Sequence, residues 1–191
     1  MSWAKEFVEL DKKVHDRSSF DSGKDELNDF IKTKAAKHMA AGISRTMVLP
    51  AASPLPDGKY PICSFYSIAP SQIERQTLPA ALVKKLPHYP VPVFLIAQLA
   101  VHAEIKGQGL GKITLIEALE HLWSVHAHMR AYAVGVDCLN QAAQDFYTKF
   151  GFEVLCDNNG RTRMFMPMST VSQLFASYAD TLKTVLIRYA V

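Results

Sequence analysis

Residues 99–112, Leu99-Ala-Val-His-Ala-Glu-Ile-Lys-Gly-Gln-Gly-Leu-Gly-Lys112, decide how this chain folds. An apolar run ends in a turn spaced by Gly107, Gly109 and Gly111, and a long amphipathic segment follows at once. A strand that delivers the backbone into those glycines, with a helix from about Leu110, aims several free N–H groups at one point. Helix N-termini carry unpaired donors and a partial positive charge, and glycine lets an anion approach the main chain without a Cβ in the way. The stretch reads as a phosphate-binding turn or, on its residues alone, as a glycine-rich strand-to-helix connection. Spacing excludes two other phosphate motifs. A Walker A loop needs glycine five residues before the Gly-Lys pair and Ser or Thr after it, where this chain has Lys106 and Ile113. A dinucleotide-binding turn needs GxGxxG, and GQGLG is one residue short of it.

From Asn140 the chain reads NQAAQDFYTKFGFEV. Ala143, Phe146, Tyr147 and Phe150 fall at helical spacing, Gly151 ends the segment, and Phe152 starts a strand. In order and spacing, the glycine turn with its helix, the strand AYAVGVD, and this helix and strand resemble the acetyl-CoA-binding half of the GNAT N-acetyltransferase family. In that family the turn has the form Q/R-x-x-G-x-G/A and cradles the CoA pyrophosphate. Here Lys106 stands at the first position, and Gly109 and Gly111 match. The resemblance implies an α/β GNAT fold, a mixed, mostly antiparallel central sheet with helices on both faces. It also implies acetyl-CoA as cosubstrate, held by Lys106, Gly107, Gln108, Gly109, Leu110, Gly111 and Lys112, with Leu99, Val101, Asn140 and Phe146 beside it.

The run FDSGKDELNDFIKTKAAKHMAAGISRTMVL, the segment FYSIAPSQI, the run HYPVPVFLIAQLAVH and the ending RMFMPM resemble the GNAT toxins of bacterial toxin–antitoxin pairs. These motifs span most of residues 20–168. The resemblance implies transfer of acetyl to the α-amino group of aminoacyl-tRNA, a block of translation, and neutralisation by a small ribbon-helix-helix antitoxin. A GNAT enzyme acting on a small amine or a protein lysine is the main alternative, and a non-catalytic binding protein of the same fold is another.

Composition agrees with one globular domain. The chain has 191 residues, 49% hydrophobic and 20% charged, enough for a substantial core. We expect a single domain over 1–168 and a helical tail over 169–191. No run of eighteen apolar residues is present, and MSWAKEFVELDKK lacks a signal-peptide centre, so a cytoplasmic protein without membrane insertion is expected. Cys63, Cys138 and Cys156 are widely spaced and read as small buried hydrophobes rather than a disulfide framework or zinc site. His121, His126 and His128 lack the i, i+4 pair of a helical zinc site, and His102 with Glu104 has no PCxxC after it. These histidines read as solvated or dipole-compensating, and no metal is expected.

A net charge of +3 says little about nucleic acid, so the first helix matters more. Ser22 with Asp25 makes a capping-box-like start, and Leu27, Phe30, Ile31 and Met39 supply an apolar stripe. Acids fall early, at Asp25, Glu26 and Asp29, and bases late, at Lys32, Lys34 and Lys37. That gradient offsets the helix dipole. The family resemblance instead makes Lys32, Lys34 and Lys37, with Arg45 at the next strand, the RNA-binding surface.

Acetyl transfer needs a neutral amine, donors for the oxyanion, and a proton for the departing thiolate. The backbone at Leu99 and Val101 suits the pantetheine and oxyanion bonds, because a strand that parts from its neighbour leaves N–H and C=O groups free. Tyr147 is the candidate acid. On spacing alone it is equally a core tyrosine of the Ala143, Phe146, Phe150 stripe; the family commonly has a tyrosine at this point. Asn140 caps that helix or touches the pantetheine arm. No residue stands out as a general base, and an α-amine with a pKa near ~8 needs less help than a lysine near ~10.4.

The remaining pattern predicts strands at 7–10, 46–49, 62–68 and 93–101, and helices over 24–39, 79–86 and from 110 to about 126. AASPLPDGKYP reads as a hairpin loop. Val171, Leu174, Phe175 and Tyr178, then Leu182, Val185, Leu186 and Tyr189, place one apolar face along the tail. That face fits packing on the core, pairing of two subunits, or an antitoxin contact, and a homodimer is expected.

Overall fold

The structure is a computed structural model and describes residues 2–78, 80–84, 86 and 88–176. The first elements are β1 (Val8–Glu9), β2 (His15–Asp16), α1 (Asp25–Asp29), a π-helical turn (Phe30–Lys34), α2 (Ala35–Ala40), β3 (Arg45–Pro50) and β4 (Tyr60–Ile73). They are followed by α3 (Ala80–Val83), β5 (Val91–Val101), α4 (Leu110–His126), β6 (Ala133–Cys138), α5 (Gln141–Thr148), β7 (Glu153–Asn158) and β8 (Arg161–Pro167). The fold is α/β, and the described ladders are antiparallel except for the parallel pair of β2 with β4. The chain forms two compact units, Met1–Pro70 with Ile96–Ala118, and Ser71–Leu95 with Leu119–Val191.

In the first unit β3 is paired on both sides. Val8 of β1 stands opposite Val48, and β3 runs against β4 from Arg45 opposite Ile68 to Pro50 opposite Ile62. The predicted 7–10 strand pairs only at Val8–Glu9, and the 62–68 strand extends to Tyr60–Ile73. Alternation along β4 sends neighbouring residues to opposite faces. Phe65 meets Phe20 at 5.3 Å and Phe30 at 6.1 Å, whereas Ser64 Oγ accepts a hydrogen bond from Thr114 Oγ1 of α4 at 3.0 Å. Helices therefore cover both faces of this part of the sheet. Leu27 and Met39 pack against a core of Phe30, Ile31, Val48, Ile62 and Ala100, as the stripe predicts.

The expected capping box at Ser22 is corrected. Lys24 is the N-cap and makes no side-chain cap, while Ser22 is 2% exposed and donates from N and Oγ to Asn28 Oδ1. The short side chain folds into the loop before the helix instead of onto its first amides. The helix also widens. The Ala35 N–H reaches Phe30 O, five residues back, and Thr33 Oγ1 donates to Asp29 O at 2.9 Å.

In the second unit β8 lies between β6 and β7, with Gly135 opposite Phe165 and Asp157 opposite Thr162. Asn159 and Gly160 turn β7 into β8 with φ of +54° and +77°, the signature of a tight Asn-Gly hairpin. Ile73, Leu78, Val91, Val93, Ala133, Leu155 and Phe165 make its core. Residues 168–176 are helical; Val171 is buried and Phe175 stacks on Trp123 at 5.5 Å, whereas Leu174 is 49% exposed and departs from the predicted apolar face. The rest of the tail reading, from Tyr178 onward, lies outside the described residues.

Asp137 and Arg163 pin β6 to β8. The guanidinium donates Nε to Oδ1 and Nη2 to Oδ2, both at 2.7 Å, and Asn158 Nδ2 donates to the same carboxylate. Burial alone would raise the Asp137 pKa, but the bonds and charge of Arg163, with Asn158, outweigh it and hold the carboxyl below its ordinary value. A depressed folded-state pKa contributes stability above the unfolded value, near ~3.9, and that stability is lost as pH falls through the folded value. Asp137→Asn should cost about 2–3 kcal/mol at neutral pH, less than the ~3–5 of a fully buried pair. In urea melts the difference from the parent should shrink below about pH 4.

Candidate active site

The glycine turn lies wholly in the first unit. Leu49, Ala51, Cys63, Ile105 and Leu110 form a cluster that seats both of its ends. Residues Ala103–Ile105 make one 3-10 turn, and α4 begins at Leu110 as predicted. Gly107 and Gly109 have φ of +80° and +82°, and a Cβ at either would meet nothing within 4 Å. The left-handed backbone favours glycine at both places, and the space above them is open. Lys112 N and Ile113 N return to Gly109 O, whereas the amides of Gly107, Gln108, Gly109, Leu110 and Gly111 find no acceptor among the described residues. Five amides without an acceptor among the described residues, in a glycine turn at a helix N-terminus, fit a diphosphate. The turn thus suits the CoA pyrophosphate on its own geometry.

Lys106 and Lys112 flank these amides in sequence. The Lys106 ammonium donates to Ser22 O. On β5, Leu99 and Val101 are half-buried and Ala100 is buried in the core beneath the strand.

Tyr147 lies in the second unit, on α5. Asn140 is extended and its side chain accepts from Ala143 N at 3.0 Å, so it caps the helix. Gly151, at φ +87°, ends it, with Phe152 N donating to Tyr147 O at 3.2 Å. The Tyr147 ring is 9% exposed and contacts Phe146 at 5.2 Å and Phe152 at 5.3 Å. No hydrogen bond among the described residues engages its hydroxyl. Burial, and Cys138 nearby, push the phenol well above its ordinary pKa. It therefore stays protonated at neutral pH, with its O–H available as a donor.

Cys63 and Cys138 are buried as expected, whereas His102 and His126 depart from their predicted roles. Burial pushes the Cys63 and Cys138 thiols up to about 11, so neither is a thiolate nucleophile at neutral pH, and Cys156 is only half-buried. His102 is 8% exposed and accepts from Glu104 N, not solvated as predicted. Nor does His126 compensate the helix dipole. Its ring accepts from Ala131 N, and burial with the Arg130 charge lowers its pKa. No group of histidine, cysteine and carboxylate side chains suited to a metal is present among the described residues.

The basic surface is redistributed as well. Lys34 Nζ pairs with Asp29 at 2.6 Å and Arg45 pairs with Glu9, so each cation has a carboxylate partner. Lys32 and Lys37, by contrast, line a hollow of about 400 Å³ together with Lys12, Arg17, Thr33, Ala36 and Ala40, with no carboxylate in the lining. Arg17 Nη1 donates to Lys32 O at 3.0 Å, which holds the two segments together. Lys12 and Arg17 were not identified from the sequence, because only the fold brings them to the helix.

An acetyltransferase (GNAT) family model matches residues 77–152. The tRNA-acetylating toxin of Mycobacterium tuberculosis (strain ATCC 25618 / H37Rv) is 30% identical over 139 residues, 73% of this chain and 79% of that protein. The chain belongs to the GNAT acetyltransferase family and is an N-acetyltransferase that uses acetyl-CoA. Among solved structures, AtaT complexed with acetyl-methionyl-tRNAfMet is 26% identical, with a TM-score of 0.77, covering 89% of this chain and 98% of that one. AtaTR bound with AcCoA is 27% identical, with a TM-score of 0.76, covering 89% and 97%.

Proposed function

We propose that this enzyme transfers acetyl from acetyl-CoA to the α-amino group of aminoacyl-tRNA and so withdraws charged tRNA from translation. The observation that carries the reading is the pair of features in the first unit, the five-amide diphosphate turn and the four-cation hollow on the first helix. Its likeness to a tRNA-acetylating toxin and to AtaT with its acetylated initiator tRNA supports the choice of acceptor.

The chemistry follows from the groups present. The turn fixes the cosubstrate, and the β5 backbone near Leu99 and Val101 supplies amide partners for its pantetheine arm. The neutral α-amine attacks the thioester carbon, the C–N bond forms, and the oxyanion collapses with loss of the C–S bond. The Tyr147 O–H donates to the departing sulfur, and the proton released by the new ammonium restores the phenol. An α-amine near ~8 is appreciably neutral at pH 7 to 8, so no strong base is required. Lys32 and Lys37, with Lys12 and Arg17, hold phosphates of the acceptor stem, and Lys34 and Arg45 contribute less because each is already paired.

A ribbon-helix-helix antitoxin, a homodimer and a cytoplasmic site of action complete the proposal. Among the described residues, no helix is long and apolar enough to cross a membrane.

The test is incubation with labelled acetyl-CoA and total charged tRNA. Label in the RNA fraction that is lost on mild alkaline deacylation supports the reading. Absence of label with acetyl-CoA binding intact moves the acceptor to a small amine or a protein lysine. Lys32→Glu with Lys37→Glu should weaken charged-tRNA binding at least tenfold and reduce the slope of log K against log salt by about 2. Acetyl-CoA affinity should not change.

A further inference from the structure

Lys106 opens the cofactor turn, yet its ammonium is engaged by the main-chain oxygen of Ser22. The same nitrogen lies 3.7 Å from the position a Cβ would take on Gly23, whose φ is +70°. The loop it reaches is also held from the segment leading into the turn. Ala103 N donates to Asp21 O at 2.8 Å, and Phe20 meets the His102 ring edge-on at 5.6 Å. On its other side the loop is bound to α1. Asn28 Oδ1 accepts from Ser22 N at 2.7 Å and Ser22 Oγ at 2.9 Å, while Asn28 Nδ2 donates to Asp21 Oδ1 at 2.8 Å. One hydrogen-bonded chain therefore runs from Lys106 through Ser22 to Asn28, in the helix that leads on to Lys32 and Lys37.

We propose that Lys106 is a positioning residue, fastening the cofactor turn to the 21–23 loop, and that it acts on the RNA acceptor rather than on acetyl-CoA affinity. The inference rests on the reading of charged tRNA as acceptor. Five main-chain amides of the turn already stand without an acceptor among the described residues, whereas Ser22 O takes its side-chain hydrogen bond from Lys106. An ammonium moved onto the phosphate would give up that bond and free one end of the loop. A group that holds the loop sets where α1, and with it the RNA-facing cations, stands relative to the cosubstrate.

Lys106→Met and Asn28→Ala, singly and together, test this. In each single variant KM for charged tRNA should rise about tenfold, with kcat and the acetyl-CoA Kd from calorimetry each within about twofold. The double variant should rise much less than the product of the two, because both substitutions break one chain. A tenfold loss of acetyl-CoA affinity in Lys106→Met, or strictly multiplicative effects, would overturn the proposal and make Lys106 a pyrophosphate ligand. An unchanged KM would also overturn it. If the parent acetylates no charged tRNA, the acceptor reading fails by itself. Hydrogen exchange at Ser22 N then decides the fastening, which predicts faster exchange in Lys106→Met and is contradicted by an unchanged rate.

Discussion

Tyr147→Phe should lower kcat for acetyl transfer about a hundredfold while leaving acetyl-CoA affinity within about twofold. The substitution keeps the ring contacts with Phe146 and Phe152 and removes only a hydroxyl that no described residue engages. Folding stability should hold or rise slightly, because no hydrogen bond within the protein is broken. The raised pKa has a second consequence. A phenol that stays protonated well above neutral pH produces no falling limb in kcat between about pH 7 and 9. Single-turnover kinetics across that range check both points. An unchanged kcat in the Phe variant would return Tyr147 to the role of a core tyrosine.

Gly109→Val should weaken acetyl-CoA binding tenfold or more. At φ +82° a branched side chain is strained by ~1–2 kcal/mol, and relief of that strain re-aims the neighbouring amides. A Cβ here meets no protein atom within 4 Å, so the loss reports the turn's conformation and the space above it rather than a clash within the fold. Gly58 is the matched control. It has φ +83° and equally open surroundings but lies in the β3–β4 loop. Gly58→Val should cost comparable stability and leave acetyl-CoA binding unchanged, as calorimetry with CoA can show. Equal losses of affinity at both positions would mean that strain, not the phosphate turn, is being measured.

Local chemistry made the glycine turn before α4 legible in the sequence. Gly107 and Gly109 adopt the left-handed backbone that only glycine enters freely, between the 3-10 turn after β5 and the start of α4 at Leu110. The α5 boundaries were equally readable, since Asn140 and Gly151 are a cap and a terminator of common type. Charge placement was not. Lys34 and Arg45 look like Lys32 and Lys37 along the chain, and only tertiary contact with Asp29 and Glu9 separates them. The π-helical turn hid the hollow too. Residues five apart sit about 140° apart on an ideal α-helix, and a wider turn brings Lys32 and Lys37 nearer one side. Ser22 misled because a short polar residue before a helix serves equally as a cap or as a loop partner, and Asn28, six residues on, decided which. His126 followed the same course: its place at the end of α4 suggested a cation, and burial with Arg130 opposed one.

The measurement that bears most directly on the central claim is mass analysis of the terminal adenosine released by ribonuclease from charged tRNA after reaction with unlabelled acetyl-CoA. The expected product is an aminoacyl-adenosine carrying one acetyl group on its amine, formed by the parent and strongly diminished with Tyr147→Phe. Aminoacyl-adenosine recovered unmodified, with acetyl-CoA bound by the same preparation, would contradict it.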